Sequence, residues 1–148
     1  MTDIEKLIAL DLGERRIGLA VSGPGRMALP AGHIVRGKLV LDVQQVIASA
    51  QERQAQGIVV GIPYDLDGKA GEAARLARGF IRALRRAIGE QPLTIYEMDE
   101  RYTSVEAEGL LRESGVQPSR DRASVDETAA MLILQRFLVS GETPSSPT

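Results

Sequence analysis

Short apolar runs separated by turn residues dominate the first quarter of the chain. Residues 7–10 and 17–21 are apolar and flank a short polar turn, a pattern that predicts a β-hairpin. A weaker third strand over 28–35 follows the Gly-Pro-Gly turn at 23–25. Pro30 either breaks this strand or places it at a sheet edge, because proline cannot donate a ladder hydrogen bond. The chain therefore opens with three adjacent strands.

The pattern changes to helical spacing from residue 40, where apolar residues recur every three or four positions. Gly57 ends this helix before the continuously apolar run 58–60, which is typical of a strand buried on both faces of a parallel sheet. An irregular segment begins at Gly61. The later elements that the spacing predicts are a helix from Gly71 to about Gly89, a strand over 93–98, and helices over 104–113 and 124–139.

Capping boxes mark the starts of the last two predicted helices, Thr103 with Glu106 and Ser124 with Glu127. The helix between Gly71 and Gly89 has one apolar face and one arginine face. The arginines on that second face are Arg75, Arg78, Arg82, Arg85 and Arg86.

The predicted element order is β-β-β-α-β-α-β-α-α. Three antiparallel strands followed by crossover units predict an α/β fold, a mixed five-stranded sheet with helices on both faces. The first strand is central, because it pairs with both the hairpin and the parallel part. At 148 residues we expect one domain over 1–140. Residues 141–148 are rich in Ser, Thr and Pro and are expected to form a flexible tail.

Composition narrows the function further. The chain has 18 Lys plus Arg against 20 Asp plus Glu, so its net charge of -2 excludes a wholly basic, histone-like binder. Cysteine is absent, which excludes disulfides, thiolate metal sites and a cysteine nucleophile. No run of apolar residues is long enough for a membrane span, so we expect a cytoplasmic protein with no membrane partner.

Carboxylates stand at two predicted strand ends and one helix start. Asp11 ends the first strand, Asp99 and Glu100 follow the strand 93–98, and Asp126 lies in the first turn of the last helix. Ligands of open α/β sheets bind at such strand ends, so the topology allows an acidic cluster. Carboxylates alone suit Mg²⁺ or Mn²⁺. Two such ions about 3.5–4 Å apart activate water and stabilise the leaving oxygen in phosphodiester hydrolysis.

Each of these residues also has a structural interpretation. Asp11 before Gly13 is a common turn-former, and an acidic residue such as Asp126 favours a helix N-terminus. Residues 99–101 also fit a solvated loop with a surface ion pair. His33, the sole histidine, lies in a predicted strand and is interpreted as structural rather than as a general base.

Four groups of short motifs follow one another along the chain. They are 9–13 (ALDLG) with 16–18 (RIG), 60–63 (VGIP) with 67–68 (DG), 99–101 (DER) with 103–104 (TS), and 125–126 (VD) with 129–130 (AA) and 133–134 (IL). Together they resemble the YqgF/RuvX family, over a stretch from about Lys6 to Leu138. The resemblance implies a ribonuclease H-like fold and a metal-dependent hydrolase of ester bonds. The family is described as a Holliday-junction resolvase or as the nuclease that matures the 5′ end of pre-16S ribosomal RNA.

The resemblance also implies roles for individual residues. Asp11, Glu100 and Asp126 become the catalytic metal ligands, and Asp99 stays the rival of Glu100, since strand periodicity does not decide between them. The expected nucleic-acid contacts are Arg101, Arg120 and Arg122 on phosphates and the loop residues Tyr64 and Tyr102 as stacking platforms.

Other functions remain open at this point. Asp11 to Gly18 also resembles the phosphate-binding hairpin of actin-like ATPases, which need a second domain that 148 residues do not supply. A non-catalytic nucleic-acid-binding module would use the arginine face. Within the nuclease interpretation, the sequence does not decide between an RNA precursor and branched DNA, between endo- and exonuclease action, or between Mg²⁺ and Mn²⁺. Nor does it decide between a monomer, enough to trim an RNA end, and the homodimer that junction resolution requires.

Overall fold

The computed structural model describes residues 6–24, 27–63, 71–99 and 122–140, and for the last range the side chains of 127–139. Strands and helices in this part of the chain follow the predicted order. They are β1 (Leu7–Leu12), β2 (Arg16–Gly23), β3 (Met27–Val35), α1 (Leu39–Glu52), β4 (Gly57–Ile62), α2 (Glu72–Ile88), β5 (Thr94–Asp99) and α3 (Arg122–Ser140).

The strands form one five-stranded sheet in the order β3-β2-β1-β4-β5. β1, β2 and β3 are antiparallel neighbours, while β4 is parallel to both β1 and β5. The mixed sheet with a central first strand is thus confirmed. Four strands are longer than predicted: β1 continues past Asp11 to Leu12, and β2, β3 and β4 are also extended. β4 includes Gly57 and Gly61, which were wrongly assigned to a helix end and to an irregular segment.

Helices cover both faces of the sheet. α1 and α2 pack on one face, where the side chains are mostly aliphatic, including Ile8 and Leu10 from β1, and are joined by the aromatic Phe80 from α2. α3 packs on the other, against Leu7 and Ala9. Because successive strand residues point to opposite faces, each strand contributes to both layers.

β3 is an edge strand, as Pro30 indicated. The register between β2 and β3 shifts after the Gly18–His33 pair, so β3 contains one extra residue, a β-bulge. Gly32 lies in this bulge with φ +85°, a conformation that only glycine adopts without strain.

Several predictions concern residues beyond the described part of the chain: the helix 104–113, the Thr103/Glu106 capping box and the tail 141–148. The Ser124/Glu127 capping box is wrong. The backbone is already helical at Arg122, so Ser124 is inside the helix rather than at its N-cap. Among the described residues, no helix is both long and apolar enough to cross a membrane.

Candidate functional site

Asp11 is a buried carboxylate in the central strand. Its residue exposure is 7%, and Asp42 is the other buried acid among the described residues. Asp11 pairs with Gly18 of β2, so it lies within the strand, two residues before the turn at Gly13. Alternation places it on the face of Leu7 and Ala9, beneath α3. Burying a carboxylate costs free energy unless charges or donors compensate it.

Glycines flank Asp11 on both neighbouring strands. Gly18 is its partner on β2, and on the other side Leu10 pairs with Val60, so that the register brings Gly61 beside Asp11. A glycine within a strand often marks a place where a ligand or another backbone approaches closely. Neither neighbour has a side chain to cover the carboxylate. The sequence contained both glycines, but only the register shows that they lie on either side of Asp11.

The structure at the end of β5 shows on which sheet face Asp99 lies, one of the two rival carboxylates. Met98 packs with the α3-side core, whereas Glu97 forms ion pairs with Arg78 and Arg85 of α2, each at 3.6 Å. Asp99 shares the side of Glu97 by alternation, so it lies on the sheet face opposite to Asp11. Glu100 follows immediately and is outside the described residues.

Asp126 lies in the second turn of α3, because the helix is already formed at Arg122; its predicted position in the first turn is wrong. The favourable interaction of an acid with the helix dipole is confined to the first turn, so that explanation of Asp126 loses support. Only the backbone of Asp126 is described.

The next residue, Glu127, fixes where α3 meets the sheet. Its Oε2 accepts a hydrogen bond of 2.8 Å from the N–H of Gly32 in the β3 bulge. Gly32 precedes His33, which pairs with Gly18, which in turn pairs with Asp11. The beginning of α3 therefore lies at the Asp11 end of the sheet. The sequence motif assigned Glu127 to a cap, so this contact was missed.

His33 has an unexpected location. It lies in the same cross-strand row as Asp11, with only Gly18 between them, and it is exposed at the sheet edge. Residues directly opposite one another in a sheet face the same side. The single histidine thus shares the face of Asp11, two strands away.

The predicted nucleic-acid contacts lie outside the described side chains. Arg101, Arg120, Tyr64 and Tyr102 are outside the described ranges, and of Arg122 only the backbone is described. Within the described residues, no three His, Asp or Glu side chains are grouped closely enough to hold a metal ion. Of the three predicted ligands, only the Asp11 side chain belongs to this set.

The arginine face of α2 is not one continuous binding surface. Arg78 and Arg85 pair with Glu97 and hold α2 against β5. Arg75 forms an exposed pair with Glu72 one helical turn away, at 3.0 Å. Part of the predicted face therefore stabilises packing between a helix and a strand.

Sequence comparison gives a consistent family. Residues 5–140 match the model of the RuvX family, described as Holliday junction resolvase. A protein of Synechococcus elongatus is 40% identical over 134 residues, covering 88% of this chain and 87% of its own. One from Roseiflexus is 38% identical, covering 91% and 94%, and one from Rhodococcus erythropolis is 40% identical, covering 88% and 76%. All three are described as candidate pre-16S rRNA nucleases.

Comparison with solved structures gives the fold. RuvC of Thermus thermophilus, solved with a Holliday junction substrate, superposes with a TM-score of 0.61 at 15% identity, covering 95% of this chain and 99% of its own. A fowlpox virus resolvase solved with Holliday junction DNA has a TM-score of 0.59 at 7% identity, covering 93% and 99%. RuvC has the ribonuclease H-like fold. This chain therefore belongs to the RuvX family, nucleases of ribonuclease H-like fold that act on phosphodiester bonds and generally use divalent metal ions.

Proposed function

We propose that this chain is a cytoplasmic, metal-dependent nuclease that processes the 5′ end of precursor 16S ribosomal RNA. The observation that carries the proposal is Asp11, a buried carboxylate between two strand glycines on the face that α3 covers. The curated relatives that are 38–40% identical support the RNA substrate through the role described for them.

The residues fit a hard divalent cation. Asp11 supplies an oxygen ligand beside glycines that leave space, and Glu100 and Asp126 are proposed as the other two ligands. Mg²⁺ or Mn²⁺ is the expected ion, because all proposed donors are carboxylate oxygens. When bound, such ions activate water and stabilise the leaving oxygen of a phosphodiester.

Two observations support the choice of Glu100 and Asp126 as partners of Asp11. Asp99 lies on the opposite face of the sheet, which leaves its neighbour Glu100 as the candidate from this strand. The contact from Glu127 to Gly32 holds the start of α3 at the Asp11 end of the sheet, and Asp126 directly precedes Glu127.

The chain's own side chains have two further tasks. We assign substrate phosphates to Arg101, Arg120 and Arg122, because guanidinium groups bind phosphate in bidentate fashion. Tyr64 and Tyr102 are assigned to stacking on unpaired bases. A monomer suffices for trimming one RNA end.

A second candidate function is resolution of Holliday junctions by a homodimer. It is favoured by the description of the matching family and by the fold shared with two resolvases. The two functions require the same bond cleavage and differ in substrate shape and in the number of active sites.

The test compares both substrates with one enzyme preparation. Purified full-length protein and its Asp11→Asn variant are incubated with Mg²⁺, Mn²⁺ or EDTA, on a precursor 16S rRNA 5′ end and on a four-way DNA junction. We expect the unmodified protein to cleave the RNA with metal and the variant to be inactive but folded. Preferred cleavage of the junction would favour the second function. Nucleic-acid binding without cleavage of either substrate would contradict both and indicate a non-catalytic module.

A further inference from the structure

The second buried acid of the described chain lies outside the proposed metal site. Asp42, in the first turn of α1, is 1% exposed. Its Oδ1 accepts a hydrogen bond of 2.9 Å from the N–H of Gly37, and its Oδ2 lies 3.5 Å from Nε of Arg36. Oδ2 has no hydrogen-bond partner among the described residues. The Arg36 cation is therefore the charge that compensates this buried carboxylate.

Arg36 connects Asp42 to the turn that follows Asp11. Its Nη1 donates a hydrogen bond of 2.8 Å to the carbonyl of Gly13, and its backbone N–H donates one of 2.9 Å to the carbonyl of Arg15. The guanidinium carbon also lies 5.7 Å from the ring centroid of Phe80 on α2. One side chain thus connects the turn between β1 and β2 with both α1 and α2.

Gly13 is hydrogen-bonded to the backbone of Asp11. Its N–H points to the carbonyl of Asp11 at 3.1 Å and to that of Arg16 at 2.9 Å, while its carbonyl accepts the bond from Arg36. Both polar groups of Gly13 are engaged, so the backbone has little freedom immediately after Asp11. The restraint from Asp42 reaches Asp11 through Arg36 and Gly13.

Stability alone does not explain this pair. Taking two charges out of water costs free energy, and an apolar pair of similar volume is often as stable or more stable. The cost is understandable if the pair fixes a geometry that apolar side chains would leave loose. We propose that Arg36 and Asp42 form a clamp that positions Asp11 for metal binding; this rests on the proposed function, in which Asp11 is a metal ligand.

The test replaces both charges at once, in the variant Arg36→Met/Asp42→Asn. Methionine keeps an apolar chain near Phe80, and asparagine keeps an acceptor for Gly37, so no unpaired charge is left buried. The bond to the Gly13 carbonyl is lost. We expect a folded protein whose Mn²⁺ affinity and kcat each fall about 10- to 100-fold, the range found when groups that orient metal ligands are removed.

Three measurements separate positioning from general damage. Mn²⁺ affinity comes from the rise in melting temperature of EDTA-treated protein on adding Mn²⁺, kcat and KM come from cleavage assays, and hydrogen exchange reports the Gly13 amide without metal. The matched control is Ser22→Ala, which removes the Oγ that accepts a hydrogen bond of 2.9 Å from the N–H of Leu7, at the opposite end of β1. We expect the control to keep the Mn²⁺ affinity, kcat and Gly13 exchange of the unmodified protein, and the clamp variant to change all three with KM unchanged.

Two results would overturn the clamp. One is a clamp variant that keeps the Mn²⁺ affinity and kcat of the unmodified protein, when the Asp11→Asn protein is inactive. The other is a higher KM with unchanged Mn²⁺ affinity, which would assign Arg36 to substrate binding. If instead Asp11→Asn cleaves and binds Mn²⁺ normally, the proposed function of Asp11 itself fails, and the clamp fails with it; the Asp11→Asn result therefore distinguishes this failure from the other two.

Discussion

The two faces of the sheet come from the same strands and yet have different contents. On the α1 and α2 face, β1 contributes Ile8 and Leu10 to a core of large aliphatic side chains. On the α3 face the same strand contributes Ala9 and then Asp11, beside Gly18. A difference of one position in β1 thus separates a core residue from a carboxylate, because successive residues face opposite sides.

We assign the two faces of the sheet different roles. Among the described residues, the α1 and α2 face holds the larger cluster of buried apolar side chains, and burial of apolar surface is the main source of stability. On the α3 face the sheet contributes the small residues Ala9 and Ala20, which share a cluster with Ala130 of α3. We infer that stability and chemistry are carried on opposite faces, so that substitutions on one should leave the property of the other intact.

The largest expected effect concerns the end of β5, where either Asp99 or Glu100 is the metal ligand. Glu100→Gln should lower metal-dependent cleavage on the order of 100-fold or more, the size found when a group that stabilises developing charge is lost. Asp99→Asn, on the opposite face, should change cleavage by a few-fold at most. Steady-state kinetics on the two purified variants decides this. An active Glu100→Gln protein beside an inactive, folded Asp99→Asn protein would reverse the assignment of faces.

An intermediate effect is expected where α3 meets the bulge. Glu127→Ala removes the acceptor for the Gly32 N–H and frees the start of α3, so cleavage should fall about 10- to 100-fold, as for other groups that orient metal ligands. Glu127→Gln keeps an acceptor oxygen and should retain near-normal kcat. Equal loss of activity in both variants would mean that the Glu127 carboxylate itself acts in the reaction.

The smallest effect on cleavage is expected from a substitution in the core on the α1 and α2 face. Leu84 on α2 is fully buried there, and Leu84→Ala should cost about 2–5 kcal/mol of unfolding free energy. Cleavage per folded molecule should not change at a temperature where circular dichroism shows the variant folded. Denaturant unfolding and kinetics on the same sample measure both. A large fall in kcat of the folded variant would contradict the division between faces.

The sequence predicted the fold well, because periodicity reports burial directly. The apolar runs of β1, β2 and β4 and the two-faced pattern of α2 led to the observed order and to the central β1. Boundaries were less accurate. β1 continues one residue past Asp11, because Leu12 still pairs with Ile17 of β2.

The site was less accessible to sequence reasoning, because register is a property of paired strands. Nothing in the local pattern shows that Gly61 lies beside Asp11, or that Gly32 forms a bulge that contacts Glu127. The two ion pairs of Glu97 also had no local signal, although they reveal the side on which Asp99 lies. Contacts between residues far apart in sequence decided each of these points.

A metal ion bound at Asp11 can be located by crystallography. Crystals of the full chain soaked in Mn²⁺ give an anomalous difference map, in which we expect a peak within about 2.0–2.1 Å of a carboxylate oxygen of Asp11, the distance at which oxygen ligands hold a small divalent cation. That peak should lie on the α3 face and be absent from crystals of Asp11→Asn. A peak on the opposite face beside Asp99, or one at Asp11 that persists in the variant, would show that Asp11 is not the metal ligand.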